Sequence, residues 1–245
     1  MKCILYDFRR AITGRWFLAA FFATVAALYA SIGSQTYALL DQMKEYPYDG
    51  FFDLTAAQLL QTGIQGDFGL MTLPALSALP FAAQALAEVK CGAIRPVVFR
   101  VGRRGWMASK LTATLASGML LQAFAALGLV LVFHGLMLCC AGTLFPMGDF
   151  TPVLPLLLGR MLCGGLWAEV GCLVSLLTET ASAAYLAPLC LCYAMVMLGT
   201  RFFPQAAFLN PANWPAAPAW ALVLGIVVLS LWLVWVLERK VNRYV

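Results

Sequence analysis

Six stretches of this chain are too apolar, for too long, to fold in water. They run at about 16–32, 68–87, 111–141, 153–177, 183–200 and 219–237, and the last reads AWALVLGIVVLSLWLVWVL. A helix that crosses the hydrocarbon core of a bilayer needs roughly 20 such residues at 1.5 Å each. Only 11% of the residues are charged and 62% are hydrophobic, where a soluble domain carries about 25% charge. Strands of a membrane barrel would alternate apolar and polar over about ten residues, and these runs do not. The first run does not read as a signal peptide, because it is long and five more follow. The expected fold is all-α: one transmembrane domain over 1–245 with six spanning helices. Pro74, Pro80, Pro155 and Pro188 fall inside the runs. Spanning helices tolerate proline where neighbours re-satisfy the backbone.

Charge sets the expected orientation, since cytoplasmic loops collect Lys and Arg while Asp and Glu count for little. With both termini inside, the cytoplasmic side holds 13 of the 16 basic residues. These are Lys2, Arg9, Arg10, Arg15, Lys90, Arg95, Arg100, Arg103, Arg104, Lys110, Arg239, Lys240 and Arg243. The outer loop 33–67 carries Asp41, Glu45, Asp49, Asp53 and Asp67 against Lys44 alone. The net charge of +5 therefore expresses topology, and nothing points to nucleic acid.

Ahead of the first run, residues 2–15 read KCILYDFRRAITGR. Ile4, Leu5, Phe8, Ala11 and Ile12 share one helical face, and Asp7, Arg9 and Arg10 fall on the other. Such a helix lies in the membrane interface. Gly14 is placed to bend it into the first span, and Trp16 marks the interface.

Few groups suit chemistry. None of the eight cysteines falls clearly in an outer loop, so no disulfide framework is expected. Cys190 and Cys192 read as small packing residues and not as metal ligands. His134 is the lone histidine, which argues against catalysis and against a metal site. Glu169 stands near the middle of the fourth run, where an acid is a functional candidate by default. Arg160, nine residues earlier, lies about half a turn out of phase and roughly 13.5 Å away along the axis, so the two do not pair on one helix.

The charge peaks between the second and third runs, in EVKCGAIRPVVFRVGRRGWMASK at 88–110. Pro96 is expected to break the chain after Arg95, Gly102 and Gly105 to bracket a turn holding Arg103 and Arg104, and Trp106 to restart a helix. The apolar Ile94, Val97, Val98 and Phe99 are expected to dock on a partner. A second span ending in Glu88, then Gly92, a short basic helix, Gly102-Arg103-Arg104, and Ser109-Lys110 entering the third span resembles the permease subunits of type-2 ATP-binding-cassette (ABC) exporters. The likeness extends to the helix before the first span, the six spans, and Asn210-Pro211 between the last two.

The resemblance implies that 88–110 is a coupling segment seated in a cleft of a separate ATPase subunit, with Glu88, Gly92, Arg95, Val98, Phe99, Arg100, Arg103, Arg104 and Lys110 as contacts. It implies a second permease copy, identical or a sister chain, and a short re-entrant element at 201–218. ATP and Mg are expected on the partner: this chain has no GxxxxGK[ST] loop, and is expected to be a transport subunit and no enzyme. The expected setting is a bacterial-type plasma membrane with its lipids, the expected cargo a hydrophobic or amphipathic peptide antibiotic, drug or lipid, and Glu169 a candidate in its pathway. The alternative is an ion- or proton-coupled secondary carrier using Glu169, although such carriers favour several intramembrane charges. A membrane enzyme lacks a catalytic set here, and an uptake-type subunit would show Ala-Arg-Gly signatures that are absent.

Overall fold

The computed structural model describes residues 2–37, 41, 55–141 and 146–244. Among them the protein is all-helical, with no strand. It comprises α1 (Lys2–Thr13), α2 (Arg15–Ser31), α3 (Ala56–Gln65), α4 (Asp67–Ala78), α5 (Gln84–Lys90), α6 (Ile94–Val101), α7 (Arg103–Ala141), α8 (Val153–Thr178), α9 (Ala183–Arg201) and α10 (Ala219–Tyr244). Two 3-10 turns, Ala207–Leu209 and Pro211–Ala216, precede α10. Four helices are long and apolar enough to cross a membrane, or five if the bent pair α1–α2 counts as one. The chain is a multi-pass membrane protein.

Helix α8 is the axis of the bundle. In its most apolar window 78% of the residues are buried, against 22% in α9 and 28% in α10. Helices α3, α4, α5, α7, α9 and α10 and the second 3-10 turn all pack on it. Lipid tails are as apolar as leucine, so helices associate in a bilayer through close packing rather than through expulsion from water. The sequence of α8 meets that need with Gly164, Gly165 and Gly171 in its middle turns. A Cβ on Gly118 of α7 would lie 2.4 Å from the Gly164 carbonyl oxygen, so the two backbones nearly touch. Helix α9 and α10 turn Leu186, Tyr193, Leu224, Val228 and Leu231 outward, as a lipid-facing surface would.

The expected bend at Gly14 is present: α1 meets α2 at 49°. The expected faces of α1 are corrected. Asp7 and Ala11 are buried, while Leu5 and Tyr6 are exposed. The helix packs on α7 through a stripe that includes its acid, because a partner charge waits there.

The second apolar run is not one helix. Helix α4 ends at Ala78, a turn follows, and α5 begins at Gln84. Pro80 has no N–H to give the Leu76 carbonyl, and Leu79 donates to it instead at 3.3 Å. The third run reads as a single helix, α7, of 39 residues. It is roughly 58 Å long, well beyond the ~30 Å hydrocarbon core, so it projects from the bilayer.

Within the expected loop 33–67 sits helix α3. Its Thr55–Gln58 capping box has Thr55 N–H donating to Gln58 Oε1 at 2.9 Å. The Ala56 and Ala57 amides donate to the carbonyls of Pro146 and Met147 at 2.9 and 3.1 Å. Its Leu59, Leu60 and Ile64 are buried against α2, α7 and α8. Ten residues are too few to span, so the hydropathy pattern hides it. Lys44, Glu45, Asp49 and Asp53 lie outside the described residues.

Within 201–218, the second 3-10 turn packs on α8. Pro211 and Pro215 are buried, Trp214 stacks on Trp167 at 5.5 Å, and Asn210 caps the second 3-10 turn by accepting from Ala212 N–H at 3.1 Å.

Candidate functional site

Helix α6 is held at both ends by glycines that leave the helical range. Gly92 has φ +74° and Gly102 has φ +82°, a region open to glycine and costly for other residues. Between them α6 runs unbroken from Ile94. The expected break at Pro96 does not occur, because Pro96 lies in the first turn, where helical N–H groups lack partners anyway. The expected turn around Arg103 and Arg104 is also corrected: α7 begins at Arg103, and only Gly102 lies outside helix.

The faces of α6 are sharply different. Ile94 and Val98 are buried in an apolar cluster with Trp106 of α7 and Leu237 and Val241 of α10. Val98 therefore faces the core and is not offered to a partner. Phe99 is 81% exposed, and Arg95, Pro96, Arg100 and Arg104 are exposed around it. Arg103 is turned toward the end of α10, where its Nη1 donates to Asn242 Oδ1 at 2.9 Å. Both chain ends thus meet α7 near its start: α1 through Asp7 and α10 through Asn242.

Glu88 and Lys110 are not surface contacts. The Lys110 ammonium is 2% exposed and donates to Asp7 Oδ2 at 2.8 Å and Glu88 Oε1 at 2.6 Å. Ser109 Oγ donates to Asp7 Oδ2 at 2.6 Å, and Trp106 Nε1 donates to Glu88 Oε2 at 3.0 Å. The Arg10 guanidinium stands 3.7 Å from Glu88. Two acids and two bases balance, so a cluster that would be ruinous half-filled is neutral. It ties α1, α5 and α7 together next to α6. The sequence signal for it was Asp7, the one acid in residues 2–15, which the hydrophobic pattern assigns to the wrong face.

A second tie lies nearby. Lys240 of α10 donates to Glu179, which follows α8 with φ +57°. The hydrogen bond from Lys240, then its charge, with Arg243 and Lys90 adding, hold the Glu179 carboxyl below its ordinary value.

Two ionisable groups lie within α8, as the spacing requires, without meeting. The Arg160 guanidinium donates from Nε to Gln122 Oε1 at 3.0 Å, from Nη1 to the Ile64 carbonyl at 3.0 Å and from Nη2 to the Gly69 carbonyl at 3.2 Å. Gln122 in turn donates to Ser77 Oγ at 2.8 Å. Ile64 belongs to the last turn of α3, whose unpaired carbonyls form the negative end of a helix dipole. Arg160 is thus a bolt joining α3, α4, α7 and α8. Glu169 accepts from Ser230 of α10 at 2.8 Å through Oε1. Its Oε2 is buried and has no partner among the described residues.

His134 places Nδ1 3.0 Å from the Val130 carbonyl. No three His, Cys, Asp or Glu side chains converge on a metal site among the described residues. The chain matches no protein-family model, no curated protein and no solved structure.

Proposed function

We propose that the chain is the membrane-spanning subunit of an ATP-binding-cassette exporter that moves a hydrophobic or amphipathic substrate outward, powered by a separate ATPase chain. One observation carries the reading. Helix α6 is a rigid knuckle, anchored inward by Ile94 and Val98 and presenting Phe99 with Arg95 and Arg100 outward. An exposed aromatic ring ringed by guanidiniums on a short helix fixed from behind has the make-up of an interface anchor, in which aromatic residues and Arg are enriched. A force applied there reaches α5, α7 and α10 through the shared apolar cluster. The family resemblance supplies the nature of the partner, and implies a second permease copy.

The proposed topology has six spans. Helix α2 and the interrupted pair α4–α5 join the four long helices, both termini face the cytoplasm, and α1 lies along the inner surface of a plasma membrane. The excess of basic residues on one side supports this orientation.

The test is purification of the tagged chain with its native partners from the host membrane. ATP hydrolysis should co-purify with wild type, and Phe99→Ala with Arg100→Ala should lose it while inserting normally. Apolar anchors in a cleft are worth about 2 kcal/mol or more when truncated, and an exposed ion pair about 0–1 kcal/mol. Full retention of hydrolysis by the double variant would leave 88–110 as an orienting flank.

A second reading, a proton- or ion-coupled carrier, is favoured by the unpartnered Glu169 Oε2. Uptake into vesicles separates the two. Transport driven by an imposed pH gradient without ATP, and abolished in Glu169→Gln, would select the carrier.

A further inference from the structure

The outward face of α10 changes character along its length. Leu224, Val228 and Leu231 are exposed and purely apolar. One turn later Trp235 is exposed and carries the Arg239 guanidinium over its ring, 3.6 Å from the centroid. The next turn brings Asn242, to which Arg103 is bonded. Residues 228, 231, 235, 239 and 242 are spaced three or four apart and so form one stripe.

We propose that this stripe binds an anionic phospholipid, with Arg239 and Arg103 holding the phosphate of its headgroup and Leu231 and Val228 lying along an acyl chain. Stacking on Trp235 and the bond to Asn242 fix both guanidiniums beforehand, which lowers the entropy lost on binding. Lys240, next to Arg239 in sequence, is bonded to Glu179. Among the described residues Arg103, Arg239 and Arg243 have no carboxylate within ion-pair distance, and the one acid in the last two turns is the exposed Glu238. A charged head continued by grease is the shape of a lipid. An acidic protein segment would leave the apolar part of the stripe unused. A second copy of the chain packed two-fold on this stripe would set arginine against arginine. The inference requires only that the protein sits in a membrane, and stands apart from the transport reading.

The full chain, purified in neutral detergent, is titrated with dioleoyl phosphatidylglycerol or with phosphatidylcholine of the same chains, and retained lipid is counted by native mass spectrometry. Wild type should prefer the anionic lipid, and Arg239→Gln should reduce that preference about fivefold. Trp235→Leu, which keeps an apolar side chain but removes the stack, should reduce it too. Arg201→Gln, at the opposite end of the bundle, should leave it intact. Unchanged preference in Arg239→Gln overturns the site, and an equal loss in Arg201→Gln overturns it as a mere effect of net charge. Displacement of the lipid by excess inorganic phosphate, or by polyglutamate, would replace it with a free-anion or acidic-protein site. If Trp235→Leu does not fold, Arg239→Gln decides alone.

Discussion

Lys110 serves two carboxylates from two other helices at once, and that makes it the residue whose loss should be felt most. Lys110→Ala leaves Asp7 and Glu88 buried with only the peripheral Arg10 to balance them. Breaking a buried pair in this way costs about 3–5 kcal/mol, so the variant should unfold at clearly lower temperature in detergent. Lys110→Met combined with Asp7→Asn and Glu88→Gln should recover much of the loss, since Ser109 and Trp106 keep acceptors. A second residue-scale expectation concerns pH. Because Glu179 titrates below its ordinary value of 4.5 when folded, its tie to Lys240 contributes above that value and is lost as pH falls through the lowered one. Protection of the amides at 239–244 against hydrogen exchange, taken relative to the unfolded chain at each pH, should therefore be full above 4.5 and fall as pH drops through the lowered value in wild type. In Glu179→Gln that protection should be low at every pH, and a wild-type end that stays protected in acid would remove the tie from the account.

At the scale of the element, α6 depends on its two glycines. Both have positive φ and open space where a Cβ would go, so backbone conformation and not crowding is the obstacle. Gly92→Ala and Gly102→Ala should each destabilise by about 1 kcal/mol or more. Gly135→Ala in the interior of α7 also meets nothing within 4 Å, has an ordinary helical φ, and should stabilise by about 0.5–1 kcal/mol. Thermal unfolding of the three variants tests the contrast, and equal effects would refute it. The long helices were legible in the sequence because bilayer thickness imposes a length that hydropathy displays. Helix α3 was not, because ten residues with one apolar face look like loop beside runs of twenty. The inward turn of Val98 was hidden as well: consecutive apolar residues on an eight-residue helix do not say which of them the rest of the bundle will cover. Asp7 was misplaced for a related reason, since pattern arguments put acids outside and cannot see a lysine one hundred residues away.

At the scale of the whole molecule, the most buried helix is also the one that carries two charged side chains. A ribosome and translocon meet this arrangement in chain order. When α8 emerges, the groups that receive Arg160 already exist, because Ile64, Gly69 and Gln122 precede it. Glu169 has no such luck: Ser230, the one residue bonded to it among the described residues, is made sixty-one positions later. An acid at the centre of a spanning segment raises the free energy of insertion by about 2.5–3.5 kcal/mol, so the nascent protein passes through an interval in which α8 is held in the membrane by its earlier neighbours alone. A chain stopped after residue 218 prolongs that interval indefinitely. It should be cleared by membrane proteases, and Glu169→Leu should raise its steady-state level far more than it raises that of the full-length chain. Equal effects on both would mean that α10 is no late guarantor of α8, and that the bundle is complete before its last helix arrives.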